Sequence, residues 1–146
     1  MKRRKVRELV LKALFASEIE SGDSFRQFQY ILEDREMAGF GEDEPLPVLS
    51  AAEEAYVGRL LEGIASRKTE LDGLIARYAV DWEIDRLGGV ERNIMRMGFY
   101  EMLYDRLPPA IAINEAVDLT KAYGMPEATG FVNGILDKKA GKNKAD

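Results

Sequence analysis

The sequence predicts an all-α fold with about seven helices in two packed helical-bundle subdomains. Apolar residues recur every three or four positions along most of the chain, which is the period of a helix with one buried face. No segment shows the strict alternation that is typical of a strand. The segment 86–104 is apolar around more than half of its helical circumference, so it needs neighbouring helices on several sides. These observations favour a central helix within a helical domain.

The first predicted helix spans roughly residues 4–20 and is unusual in its charge. Residues 1–12 carry six basic side chains against one acidic side chain, whereas the whole chain has a net charge of −5, which leaves −10 for residues 13–146. Basic residues in a first turn oppose the helix dipole, so local stability does not explain them. The cluster consists of Arg3, Arg4, Lys5 and Arg7. It is either a solvated basic tail or a site for a polyanion.

Three further helices are expected before the central one. Ser24 is predicted to cap a short helix, and Thr69 a helix that ends near residue 78. Between them, Ser50 and Glu53 form a capping box, in which each side chain satisfies a free N–H group of the other residue. The segment 33–47 is rich in Gly, Pro and acidic residues, and we expect a flexible acidic loop there.

The central helix and two later helices complete the predicted fold. Glycines at 88 and 89 open the central helix, Gly98 allows another helix to approach closely, and the prolines at 108 and 109 prevent continuation. Asn114 is predicted to cap the next helix, and a last helix follows Pro126. We therefore expect one domain over 1–146, with an N-terminal bundle over 1–80 and a C-terminal bundle over 81–146.

Composition excludes several kinds of site. The chain has no cysteine and no histidine, which excludes thiolate catalysis, disulfides, zinc motifs and nucleophile–histidine pairs. We expect no catalytic residues, no metal and no cofactor. No stretch approaches about 20 consecutive apolar residues, and the basic start lacks the apolar core of a signal peptide. The expected location is cytoplasmic, without membrane association.

Several motifs occur in a characteristic order. They are Arg3-Arg4-Lys5-Val6-Arg7-Glu8-Leu9, Trp82-x-x-x-Arg86-Leu87, Val90-Glu91-Arg92-x-x-Met95-Arg96, Ala112-Ile113-Asn114-Glu115-Ala116-Val117 and Phe131-Val132-Asn133-Gly134-Ile135-Leu136. Together they resemble the NusB family of bacterial transcription antitermination factors over nearly the whole chain. The Ile113-Asn114-Glu115-Ala116 and Phe131-Val132-Asn133-Gly134 elements carry most of this resemblance, because a basic N-terminus alone is common.

The resemblance implies a non-enzymatic, RNA-binding transcription antitermination factor. Such proteins bind the boxA element of ribosomal RNA leader transcripts, here expected as single-stranded RNA, together with NusE, a ribosomal small-subunit protein. Their complex helps RNA polymerase to read through terminators. Carried over by position, the RNA-binding residues are Arg3, Arg4, Lys5, Arg7, Lys121 and Phe131, and Glu91 faces the protein partner. Both monomers and homodimers occur in the family, so the resemblance leaves a homodimer open.

Other interpretations remain at this point. Phe131 lies one turn before Ile135, so it either packs in the core or stacks on a base, and Lys121 is a weaker candidate that is also explained as a solvated helix residue. A helical protein-interaction module without RNA binding of its own is an alternative function. An RNA-modifying enzyme is a third class, since similar domains occur fused to ribosomal RNA methyltransferases. The sequence has no Gly-rich cofactor loop, so we expect no such catalytic domain.

Overall fold

The computed structural model describes residues 1–20, 22–79 and 87–145, with side chains as far as residue 141. Within these ranges the chain forms α-helices, a short 3-10 helix and no strand, so the predicted all-α class is confirmed. The chain forms two compact units, residues 1–63 and 64–146. The predicted subdomain boundary at residues 80 and 81 lies outside the described residues, and that division stays a prediction.

The first unit contains α1 to α3 and most of α4. These helices are α1 Arg3–Glu20, α2 Ser24–Glu33, α3 Arg35–Ala38 and α4 Ala51–Ser66. Helix α1 packs against α2, and the core of this unit includes Leu9 and Ile31, both fully buried. The core follows the apolar stripes in the sequence because a helix presents every third or fourth residue to the same side.

Helix α3 accounts for the difference between the expected seven helices and the eight found among the described residues. The sequence predicts a loop over 33–47, but residues 35–38 form a helical turn. The Asp34 carboxylate accepts hydrogen bonds from the N–H groups of Glu36 and Met37, both at 3.1 Å. Gly39 ends the turn with a φ of 78°, a conformation that favours glycine. An aspartate N-cap and a glycine C-cap five residues later therefore bound a single helical turn.

The capping box before α4 is confirmed. Ser50 N–H donates to Glu53 Oε1 at 2.8 Å, and Glu53 N–H donates to Ser50 Oγ at 3.2 Å. The hydrogen bond from Ser50, followed by the amino terminus of Met1 at 3.0 Å, lowers the pKa of Glu53. The N-cap of α2 is Asp23 rather than Ser24, and its carboxylate accepts from Phe25 N–H.

The second unit is built around one helix. Its members are α5 Lys68–Tyr78, α6 Gly89–Leu103, α7 Pro109–Tyr123, a 3-10 helix Pro126–Ala128 and α8 Thr129–Ala145. Helix α6 packs against α5, α7 and α8, which confirms the predicted central position. A Cβ atom added at Gly98 would lie 3.0 Å from Leu136 Cδ1, so the predicted close approach of another helix is also confirmed.

Two predicted caps of this unit are wrong. Thr69 lies inside α5, whose N-cap is Arg67, and Asn114 lies inside α7, which begins five residues earlier at Pro109. Proline is well suited to a first helical turn because that turn needs no N–H donor from it. Trp82 and Arg86 lie outside the described residues. None of the helices that the structure describes is both long and apolar enough to cross a membrane.

Candidate nucleic-acid interface

Three arginines from two helices meet at the ring of Tyr56. The guanidinium carbon of Arg3 lies 3.8 Å from the ring centroid. The corresponding distances are 5.7 Å for Arg7 and 5.8 Å for Arg59. Arg3 and Arg7 are four residues apart and share one face of α1, whereas Tyr56 and Arg59 belong to α4. We call Arg3, Arg7 and Arg59 the Tyr56 arginine cluster.

The members of the Tyr56 arginine cluster differ in exposure. Tyr56 is 3% exposed and Arg7 is 6% exposed, while Arg3 and Arg59 are exposed to solvent. A guanidinium within about 6 Å of an aromatic ring is attracted by the negative face of that ring. Tyr56 therefore forms a buried base on which two exposed guanidinium groups and one buried guanidinium group are positioned. The planar forks of the two exposed groups are suited to bidentate contact with phosphate oxygens.

Lys5 lies on a different face of α1 from the Tyr56 arginine cluster. Its ammonium nitrogen is 4.9 Å from the Phe40 ring centroid and 3.6 Å from Glu8 Oε2. Lys12, seven residues further along the same face, donates to the carbonyl oxygen of Met37 at 2.7 Å. Burial, followed by the charge of Lys5, lowers the pKa of Lys12, while Glu8 opposes that shift. The sequence groups Lys5 with Arg3 and Arg7, but the structure places it against α3 and the segment that follows.

The remaining candidate RNA-binding residues have different environments. Arg4 is exposed near the start of α1, and Lys121 is exposed on α7. Phe131 is 4% exposed in α8. Burial of Phe131 agrees with the core-packing interpretation, because a ring that stacks on a base must present a face to it. The RNA-binding roles of all three residues stay predictions. Lys121 and Phe131 belong to the second unit, whereas α1 belongs to the first.

Glu91 is buried rather than placed on an open polar edge. It is 3% exposed, and its Oε1 accepts a hydrogen bond from Met125 N–H at 2.9 Å. A Cβ atom at Gly88 would lie 2.7 Å from Oε2, and one at Gly124 would lie 3.0 Å from Oε1. The carboxylate therefore joins the start of α6 to the turn after α7. Its role in partner binding stays a prediction, although the geometry indicates a structural role.

Sequence reasoning missed Tyr56 and Arg59 as candidate site residues. Their spacing of three residues indicates only that they are neighbours on one helix, which does not by itself predict a binding site. Arg3 and Tyr56 are far apart in the sequence, and only the fold brings them together. Within the part of the chain that the structure describes, no group of three or more metal-ligating side chains occurs. The Tyr56 arginine cluster instead provides guanidinium groups that can donate hydrogen bonds to an anion.

Known proteins are similar to this chain over nearly its whole length. The model of the NusB family matches residues 4–140. The transcription antitermination protein NusB of Desulfosudis oleivorans is 36% identical over 148 residues, which cover 99% of this chain and 90% of that protein. A structure of T. maritima NusB has a TM-score of 0.76 and 32% identity, with 94% of this chain and 89% of that chain covered. A crystal structure of the antitermination factors NusB and NusE in complex with dsRNA has a TM-score of 0.75 and 25% identity, with 93% of each chain covered.

Proposed function

The chain belongs to the NusB family of transcription antitermination proteins, and we propose that it binds boxA-like RNA together with NusE. The observation that carries the proposal is the basic start of α1, where Arg3 and Arg7 share the ring of Tyr56. A site of this kind recognises a polyanion. We further propose a non-enzymatic factor that acts in the cytoplasm, within the RNA polymerase antitermination complex.

The charge distribution supports RNA as the polyanion. Residues 1–12 carry a balance of +5, and residues 13–146 carry −10. Phosphates are attracted to the basic start and repelled by the acidic remainder, so the charge pattern favours binding at one place. A NusB relative of similar structure has been crystallised with NusE and dsRNA. For this chain we propose single-stranded RNA, because arginine planes can stack on unpaired bases and can donate hydrogen bonds to their edges.

The residues have distinct roles in this proposal. Arg3 and Arg4 are exposed and would contact phosphates directly, whereas Arg7 is buried and would act mainly by holding its neighbours in place. Each phosphate that a basic side chain neutralises releases condensed counterion. The logarithm of the affinity should therefore fall with the logarithm of the salt concentration by about 0.7 for each contact.

The test is a titration of boxA-like leader RNA with the full chain, with and without NusE. We expect the double variant Arg3→Gln and Arg4→Gln to bind about tenfold more weakly, since each exposed contact contributes roughly 0.7 kcal/mol. The salt slope should fall by roughly 0.7 for each lost contact. The matched control is Lys68→Gln with Arg77→Gln, which removes two exposed positive charges from α5.

Three outcomes are informative. The proposal is supported if the α1 double variant binds RNA more weakly and the control variant binds it normally. Equal weakening in both double variants would show only a general effect of net charge, and the RNA site would then lie elsewhere. Binding of NusE without any binding of RNA would select the alternative function, a helical protein-interaction module. A titration with duplex RNA of the same sequence separates recognition of unpaired bases from recognition of the backbone.

A further inference from the structure

Arg59 was not among the candidate residues, yet it shares its aromatic partner with two residues of α1. Its guanidinium carbon lies 5.8 Å from the Tyr56 centroid, compared with 3.8 Å for Arg3. Arg59 is exposed, so it can reach a ligand in solvent. Tyr56 is 3% exposed, so the ring is a fixed element of the core rather than a mobile surface group.

Three guanidinium groups near one ring concentrate positive charge at one place. Each guanidinium is attracted by the ring, and their charges act together on an anion that lies within the screening length of about 8 Å in physiological salt. All three guanidinium carbons lie within 5.8 Å of a single centroid. A phosphate beside the exposed Arg3 and Arg59 is attracted by the charge of the whole cluster, and single-stranded RNA carries one phosphate for each nucleotide. The cluster is therefore complementary to a segment of phosphate backbone rather than to a neutral ligand.

We propose that Arg59 is a further RNA-contacting residue and that Tyr56 is the positioning residue which holds Arg3 and Arg59 side by side. The bound RNA then runs from the first turn of α1 onto α4. This inference rests on the proposed function, because it assigns an additional contact to the same ligand. It goes beyond that function because it places part of the RNA path on α4, which lies outside the basic N-terminal segment.

The proposal requires a contact to the backbone rather than to a base. A guanidinium on a phosphate contributes to affinity for any sequence, whereas a base contact discriminates between sequences. Arg59→Gln should therefore weaken binding of boxA-like leader RNA and of oligouridylate by the same factor, about threefold to tenfold, and should reduce both salt slopes by roughly 0.7. RNA binding is measured by fluorescence anisotropy with the full chain at several salt concentrations.

The chain provides a matched control for this variant. Arg77 is also an exposed arginine over a tyrosine, with its guanidinium carbon 5.6 Å from the Tyr78 centroid, but it lies on α5. Arg77→Gln removes the same charge and the same type of ring contact outside the cluster. We expect the RNA affinity and the salt slope of the Arg77→Gln variant to equal those of the unmodified chain.

Two variants of Tyr56 test the positioning role. Tyr56→Phe keeps the aromatic face and should bind RNA like the unmodified chain, whereas Tyr56→Leu keeps apolar volume without that face and should bind about threefold more weakly. Thermal unfolding of each variant shows whether the fold is intact. Arg59→Gln does not alter the core, so it tests the contact even if Tyr56→Leu fails to fold.

The results separate this inference from the proposed function. If Arg3→Gln weakens RNA binding but Arg59→Gln behaves like Arg77→Gln, the path onto α4 is wrong and the proposed function stands. If Tyr56→Phe and Tyr56→Leu weaken binding equally, the aromatic face has no positioning role. If the unmodified chain binds no RNA, the proposed function fails and this inference fails with it.

Discussion

Glu91 shows how burial changes the meaning of a single charged residue. Its carboxylate is 3% exposed and accepts a hydrogen bond from Met125 N–H at 2.9 Å. A lysine at this position would bury an ammonium group and leave the Met125 N–H group without its acceptor. We therefore expect Glu91→Lys to reduce the free energy of unfolding by at least about 3 kcal/mol, measured by urea denaturation.

The conservative variant at the same position provides the comparison. Glu91→Gln keeps an oxygen acceptor for Met125 N–H, so its cost should be only about 1 kcal/mol. A Glu91→Lys variant with the stability of the unmodified chain, combined with weaker NusE binding, would instead restore the predicted role of this residue at the partner surface. Binding to NusE should be compared only at temperatures where each variant is folded.

At the scale of elements, the glycine on α6 controls how closely α8 approaches. A Cβ atom at Gly98 would lie 3.0 Å and 3.1 Å from the two methyl carbons of Leu136, which is fully buried and has little room to move. Gly98→Ala should improve helix propensity by about 1 kcal/mol but should lose more through overpacking. We expect a net destabilisation of about 1 to 2 kcal/mol, measured by thermal unfolding.

Gly73 on α5 is the matched control for this prediction. It is exposed, and a Cβ atom there would have no heavy atom within 4 Å. Gly73→Ala should therefore stabilise the protein by about 0.5 to 1 kcal/mol through helix propensity alone. If both substitutions stabilise the protein, the contact between α6 and α8 is looser than the structure indicates.

A second interaction of α6 is an ion pair between Arg96 and the neighbouring helix α5. Arg96 is 4% exposed, and its guanidinium donates to both carboxylate oxygens of Asp72 on α5, at 2.6 Å and 2.9 Å. It also donates to Asn93 Oδ1 at 2.9 Å. Arg96 of the central helix is therefore used for contacts within the second unit. A basic residue in the sequence indicates a nucleic-acid contact only where the fold leaves it accessible, as at Arg3 and Arg59.

At the scale of the whole molecule, the charge pattern governs behaviour in solution. The net charge is −5 at pH 7 and the isoelectric point is about 5.0. Repulsion between molecules is weakest near that pH, while the basic start of one molecule can still attract the acidic remainder of another. We expect turbidity at low ionic strength to be greatest near pH 5.0.

Added salt distinguishes this attraction from apolar association. Salt at about 0.15 M screens interactions beyond roughly 8 Å, so it should dissolve precipitate formed near the isoelectric point. Turbidity that increases with salt would indicate apolar contacts instead. Replacement of Arg3 and Arg4 by glutamine should also reduce the turbidity, because it weakens the positive end of the molecule.

Local pattern was sufficient to predict much of the fold. The 3.6-residue period identified the helices, the Ser50 and Glu53 pair identified the start of α4, and the apolar circumference of α6 identified its central position. These features depend on residues close together in sequence, whose preferences act before the chain is folded. The short helix α3 was missed because its cap, Asp34, lies in a segment rich in loop residues.

The sequence by itself determined the all-α class, the central helix, the family resemblance and the basic start. Only the tertiary structure decided which basic residues are accessible: it placed Arg3 and Arg59 on one ring, turned Lys5 toward Phe40, and buried Glu91 beneath Met125. The physical reason is that helix formation follows from neighbouring residues, whereas burial and pairing of a charge depend on groups that are distant in sequence and meet only when the chain packs.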